Sequence, residues 1–372
     1  MKIDNLLLAA LLFKFISFCF YDISGLRLIM QPASFLFLGA YLCLDKKSTY
    51  SLISVCLTFS LLALTAAHIF LAQSASEFSL TFLVTLLYGL VCGLAVQAKG
   101  LDFLSMLLKY LALIVLFRII YVDLIFVFSA LSGPGSKIIG SFSTLGFAWY
   151  PLFEMPLPRI QDQAIVLYPL VVAIMFTSNY SRALAILAVS TLAITINFNV
   201  AGIVAYFIIF ASFLFFRRSY SIFGIISAFM IFLTLIFIED IQSLIALKSY
   251  SFELKMFQLI YVVENFSDFM FGNGIGNIDL KLFREGDLLI ENSYLYLLYA
   301  LGLFSLPIFV YLAMLSMYMF HNLSKGMTPS LFALYACLIS ILILSGSNPY
   351  LFSGSIYVIF YIVSKHNIKA IR

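Results

Sequence analysis

Long apolar stretches separated by short polar connections occupy most of the chain. A membrane-spanning helix needs about 20 apolar residues, and about twelve stretches meet or approach that length. They centre on 5–22, 26–44, 51–72, 79–97, 104–128, 164–178, 183–197, 199–216, 222–238, 291–319, 330–346 and 350–364. In lipid the backbone must satisfy its own hydrogen bonds, and the alternation of a barrel strand is absent, so these stretches are read as helices. The predicted fold is all-α: a polytopic integral membrane protein with about 12 transmembrane helices, forming one membrane domain over 1–372. The start, Met1 to Phe18, lacks a small-x-small cleavage site, and another apolar run follows at once, so it reads as a retained first span. No internal repeat is visible.

Composition agrees with the pattern. The chain is 63% hydrophobic and 10% charged, with mean hydropathy +1.10, against about 25% charged residues in a soluble domain. The net charge of +4 comes from dispersed Lys and Arg, which form no patch, so no nucleic-acid partner is expected. The five cysteines all fall in apolar runs and read as packing residues. His68, His321 and His366 lack ligand spacing, so no metal is expected.

The polar connections set an orientation. Lys46-Lys47, Lys99, Arg182, Arg217-Arg218, Lys325 and the tail residues Lys365, Lys369 and Arg372 fall on alternate connections. The connections 74–79, 197–199 and 345–350 carry no basic residue. The positive-inside rule then predicts both termini in the cytoplasm and both long connections outside. Those are loops 129–163 and 239–290. The second leads into Glu291, and nine of the 17 acidic residues lie in 239–291. Within it Phe252, Met256, Leu259, Ile260 and Val263 follow helical spacing. That predicts an amphipathic helix, lying on the outer membrane interface or packed on the loop's own core.

Four groups of residues could carry chemistry. The cluster Gly272-Asn273-Gly274-Ile275-Gly276-Asn277 has neither the strand nor the Lys-Ser/Thr pair of a nucleotide loop. Its glycines serve a turn, or let backbone N–H groups approach a phosphate. Glu291, Asn292 and Tyr294 stand at the mouth of the tenth span; Glu291 is a general base there, or merely a helix cap with Asn292. Lys137, Arg159, Lys281 and Arg284 lie on the outer loops, where guanidinium and ammonium groups bind phosphate or are simply solvated. Lys14, Lys109, Arg118 and Asp123 fall inside spans, where each needs a partner or a watery cavity; Arg118 and Asp123 could pair.

The order of these features resembles bacterial O-antigen polymerases of the Wzy type, and more distantly the O-antigen ligases. The likeness rests on about twelve spans, Ser181-Arg182 after a short helix, Gly272 to Gly276 in the large outer loop, then Asn292-Ser293-Tyr294 and Gly302-Leu303. The ligase pattern has a His where Glu291 stands here. The resemblance implies a GT-C-like membrane glycosyltransferase of the bacterial inner membrane, without cofactor or metal. It would transfer a growing glycan from undecaprenyl pyrophosphate to an incoming lipid-linked repeat unit at the periplasmic face. A flippase and a chain-length regulator are its expected partners.

In that reading Glu291 is the base, with Asp279, Glu285 and Asp287 as rivals. Arg159 and Arg284, the other catalytic candidates, stabilise the leaving pyrophosphate. Lys281, Lys137, Gly274, Gly276, Asn292 and Tyr294 would contact substrate. A ligase, or a flippase with Arg118 and Asp123 lining its channel, is the alternative.

Overall fold

A computed structural model of the chain describes residues 3–45, 77–132, 147–152, 155–160, 162–171, 200–216, 249–274, 292–326 and 328–346, with isolated positions at 224, 356, 359–360 and 362–363. Among these residues the fold is helical. The helices are α1 (Ile3–Cys19), α2 (Ser24–Leu44), α3 (Glu77–Gln97), α4 (Leu101–Ser132), α5 (Val200–Phe216), α6 (Ser249–Glu264), α7 (Ser293–Leu301), α8 (Leu306–Lys325) and α9 (Pro329–Ser345). Three segments, Gly25–Leu44, Asp102–Ser132 and Ser293–Lys325, are long and apolar enough to cross a membrane. The apolar helices mark a membrane protein, as the hydropathy pattern predicts. The spans expected over 51–72 and 183–197, and most of those over 222–238 and 350–364, lie outside the described residues.

Two features depart from the all-α expectation of unbroken spans. The first is a hairpin inside the 129–163 loop: β1 (Phe147–Leu152) pairs antiparallel with β2 (Met155–Ile160). Its prolines all occupy the same set of alternate pairs, Pro151 opposite Pro156 and Pro158 opposite Trp149. In that set the proline nitrogens can point out of the ladder, so none removes a ladder donor. The second is the tenth span, which is broken. After α7 the chain makes a 3-10 turn, Gly302–Ser305, before α8 begins. Gly302 has φ of 57°, and Pro307 sits in the first turn of α8, where a missing N–H costs nothing.

The core joins both ends of the sequence. Leu7, Leu11 and Phe15 of α1, Leu104 and Leu107 of α4, Tyr296 and Tyr299 of α7, and Phe332 and Leu338 of α9 belong to one buried cluster. Polar side chains pin its first three helices together. Lys14 of α1 is buried over the ring of Tyr88, 4.9 Å from its centroid. Tyr88 donates to the Ala10 carbonyl at 3.2 Å and bonds Ser34 of α2. Lys99 reaches Asp4 at 2.8 Å and Asp45 at 3.3 Å, tying the α3–α4 turn to the start of α1 and the end of α2. Burial alone would lower the Lys99 pKa, but its hydrogen bonds to Asp4, Tyr41 and Asp45 outweigh that and raise it.

Candidate functional site

The break in the tenth span is filled by the glycine-rich segment. After α6 a 3-10 turn, Phe266–Phe269, leads the chain back onto the C-terminal end of α7. A helix ends with unpaired carbonyls, and the segment supplies their donors. Asn273 N–H bonds the Tyr299 carbonyl at 3.1 Å and Gly274 N–H bonds that of Ala300 at 3.0 Å. In return, Leu303 N–H donates to the Met270 carbonyl at 2.9 Å.

Backbones approach this closely because the seam is built from glycine. A Cβ on Gly302 would lie 2.2 Å from the Met270 oxygen, and one on Gly272 would lie 2.4 Å from the Ala300 oxygen. Gly272 and Gly274 also take φ of 91° and 89°, which side-chain-bearing residues rarely adopt. Gly274, read from sequence as a substrate contact, therefore has its N–H engaged by the helix.

Asn292 stands at the other end of α7. Its side-chain oxygen accepts from Tyr294 N–H at 2.9 Å and Leu295 N–H at 3.2 Å, a helix cap. The stretch 275–291 thus leaves from Gly274 and returns at Asn292, both held on one helix about 13 Å long. Tyr294 donates its hydroxyl to the Leu342 carbonyl at 2.7 Å and meets Phe309 edge-on at 6.0 Å. It lines an apolar groove of about 260 Å³ with Phe309, Leu312, Ala313, Ser316 and Leu342. Glu291, Arg284, Lys281, Gly276 and Lys137 lie outside the described residues.

Arg159 lies in β2, its Cα partnered with that of Ala148, and β2 packs against α4. Three residues later Asp162 enters a buried charge cluster. Arg118 of α4 is fully buried. It donates through Nη2 to Asp162 at 2.9 Å and through Nε to both Asp162 oxygens at 3.2 Å. Its Nη1 bonds Asp22, in the turn after α1. Tyr121 donates to Asp22 at 3.2 Å, and Tyr168 donates to Asp162. The guanidinium also lies 5.6 Å from the ring centroids of Phe20 and Tyr21 and 5.3 Å from that of Tyr121.

Asp162 further accepts from Ala164 N–H at 3.0 Å, capping the 3-10 turn Gln163–Leu167. One guanidinium between two carboxylates thus joins α1, α4 and the end of the hairpin. Arg118 does not pair with Asp123; the Asp123 Oδ1 is buried with no hydrogen-bond partner among the described residues.

Sequence reasoning singled out Arg118 but neither Asp22 nor Asp162. The available signal was scarcity. Only eight acids lie outside 239–291, and a buried guanidinium must find its carboxylates somewhere. Comparison of the chain with family models, with curated proteins and with solved structures finds no match to any of them.

Proposed function

We propose that this chain is a membrane glycosyltransferase that polymerises lipid-linked glycan repeat units, the activity implied by its resemblance to O-antigen polymerases. The observation that carries the proposal is the joining of Gly272–Gly274 with Asn292–Leu303. These two parts of the motif meet backbone to backbone in the fold. The stretch bearing Lys281, Arg284 and Glu291 is thereby anchored at both ends on α7, and the strand bearing Arg159 is held to α4. In this reading the arginines stabilise a leaving pyrophosphate without a metal. Glu291 takes the proton of the acceptor sugar hydroxyl.

The test is the glycolipid banding of a deletion strain complemented with variants. Loss of the gene should leave the core carrying one repeat unit. Core alone with long chains on the carrier would indicate a ligase instead, and core alone with unextended units inside would indicate a flippase. Arg159→Ala and Arg284→Ala should abolish extension at unchanged membrane abundance, and Glu291→Gln should impair it. Full-length polymer from both arginine variants would refute the assignment of pyrophosphate binding.

A further inference from the structure

Helix α6 turns an unexpected face to the protein. Gln258 and Val262 are buried, at 1% and 0% exposure. The apolar positions on the opposite side remain open: Met256 at 40%, Leu259 at 39%, Ile260 at 48% and Val263 at 62%. Glu253 and Glu264, both exposed, stand near the two ends of this face. Among the described residues this apolar side is not packed onto a core of the helix's own loop.

The exposed face leads along the chain to the flank of a span. From α6 the chain passes through Phe271, 69% exposed, into the seam where Met270 bonds Leu303. Phe304 and Leu306 are 43% and 48% exposed there, and Val310 and Met314 of α8 follow at 56% and 49%. Depth follows from length. The 20 residues of α8 rise about 30 Å, the thickness of the hydrocarbon core. With Lys325 at one edge of that core, the seam at Gly302–Ser305 falls near the other edge, and α6 is joined to the seam through Phe266–Met270.

We propose that α6 lies in this boundary, with Met256, Leu259, Ile260 and Val263 in contact with the acyl chains of the leaflet at the Ser293 end of the span. Lipid is the occupant because these exposed apolar side chains are joined, through Met270 and Phe271, to the exposed apolar flank of a helix apolar enough to cross a membrane. The inference is independent of the transferase reading.

The chain has a single tryptophan, so Trp149→Phe gives a silent background for tryptophan placed at Ile260, Val263 or Met314. The full-length variants are reconstituted in phosphatidylcholine vesicles, with bromine on the acyl chains near the head group as one quencher and aqueous iodide as the other. Ile260→Trp and Val263→Trp should be quenched by bromolipid at least about half as strongly as Met314→Trp, and hardly by iodide. Quenching by iodide alone would place the face in water. Quenching by neither would mean that a second copy or another part of the chain covers it. Either result overturns the proposal. If Trp149→Phe does not fold, the same variants made with Trp149 retained give the answer as a difference in quenching.

Discussion

The two parts of the apolar stretch 293–325 have different surroundings. In α7, Ser293, Tyr296, Leu297, Tyr299, Ala300 and Leu301 are buried, and Tyr294, Leu295 and Leu298 on the remaining side are half-buried, so no residue of the helix is exposed. In α8 only Leu312, Leu315, Met319 and Leu323 are buried, a single stripe at helical spacing. Val310, Met314 and Met317 on its other side are 49–73% exposed. A helix with one buried stripe is tolerant, because most substitutions fall on its exposed side. One with no exposed residue, and with its last carbonyls bonded to another segment, has one admissible fit. The break at Gly302 is what separates the two regimes, since an unbroken helix would have no free carbonyls to offer.

The comparison breaks most sharply at the seam. Gly302→Ala adds a Cβ 2.2 Å from the Met270 oxygen at a backbone angle that favours glycine, and should cost about 3–5 kcal/mol. Thermal unfolding in detergent reads this as a large drop in midpoint. Gly326→Ala, just past the far end of α8, meets nothing within 4 Å and should melt as the parent does. Equal midpoints for the two variants would show that the seam does not hold α7 in place.

The Arg118 cluster tests whether enclosure by charge behaves like enclosure by backbone. Arg118→Met leaves Asp22 and Asp162 buried without their cation, and should cost about 3–5 kcal/mol. Replacing both aspartates by leucine in the same chain should recover part of that loss, since a matched apolar set avoids unpaired charge. A single variant with unchanged melting would mean that water reaches the carboxylates. The smallest effect belongs to the free side of α8. Met314→Ala should shift stability by no more than about 0.5 kcal/mol, and a larger loss would reveal a protein neighbour on that flank.

Much of this was legible before any coordinates. Helix positions followed from hydropathy, because a bilayer admits few alternatives to a helix. Thus α2, α5 and α9 fall within about two residues of the expected spans. The break at Gly302 was written in Gly302 and Pro307, yet hydropathy alone runs straight through it, since a 3-10 turn of Gly-Leu-Phe-Ser is as apolar as a helix. The hairpin was hidden by its prolines, which argue against a strand until the register puts their nitrogens outside the ladder. Phosphate approach was one of two readings left open for the glycine cluster. Gly272 and Gly274 fit the other, a turn at positive φ, and Gly272 also gives room for one backbone to lie on another.

The sequence by itself determined that the chain lives in a membrane, roughly where its helices run, and which few charges had to be explained. Those are consequences of local composition acting against lipid. Only the tertiary structure decided that Arg118 binds Asp22 and Asp162, 96 and 44 residues away. It alone decided that α6 turns its apolar face outward, and that the glycines after α6 close a broken helix. Each of those depends on which surfaces meet, and a pairing between distant segments leaves no periodic trace in either one.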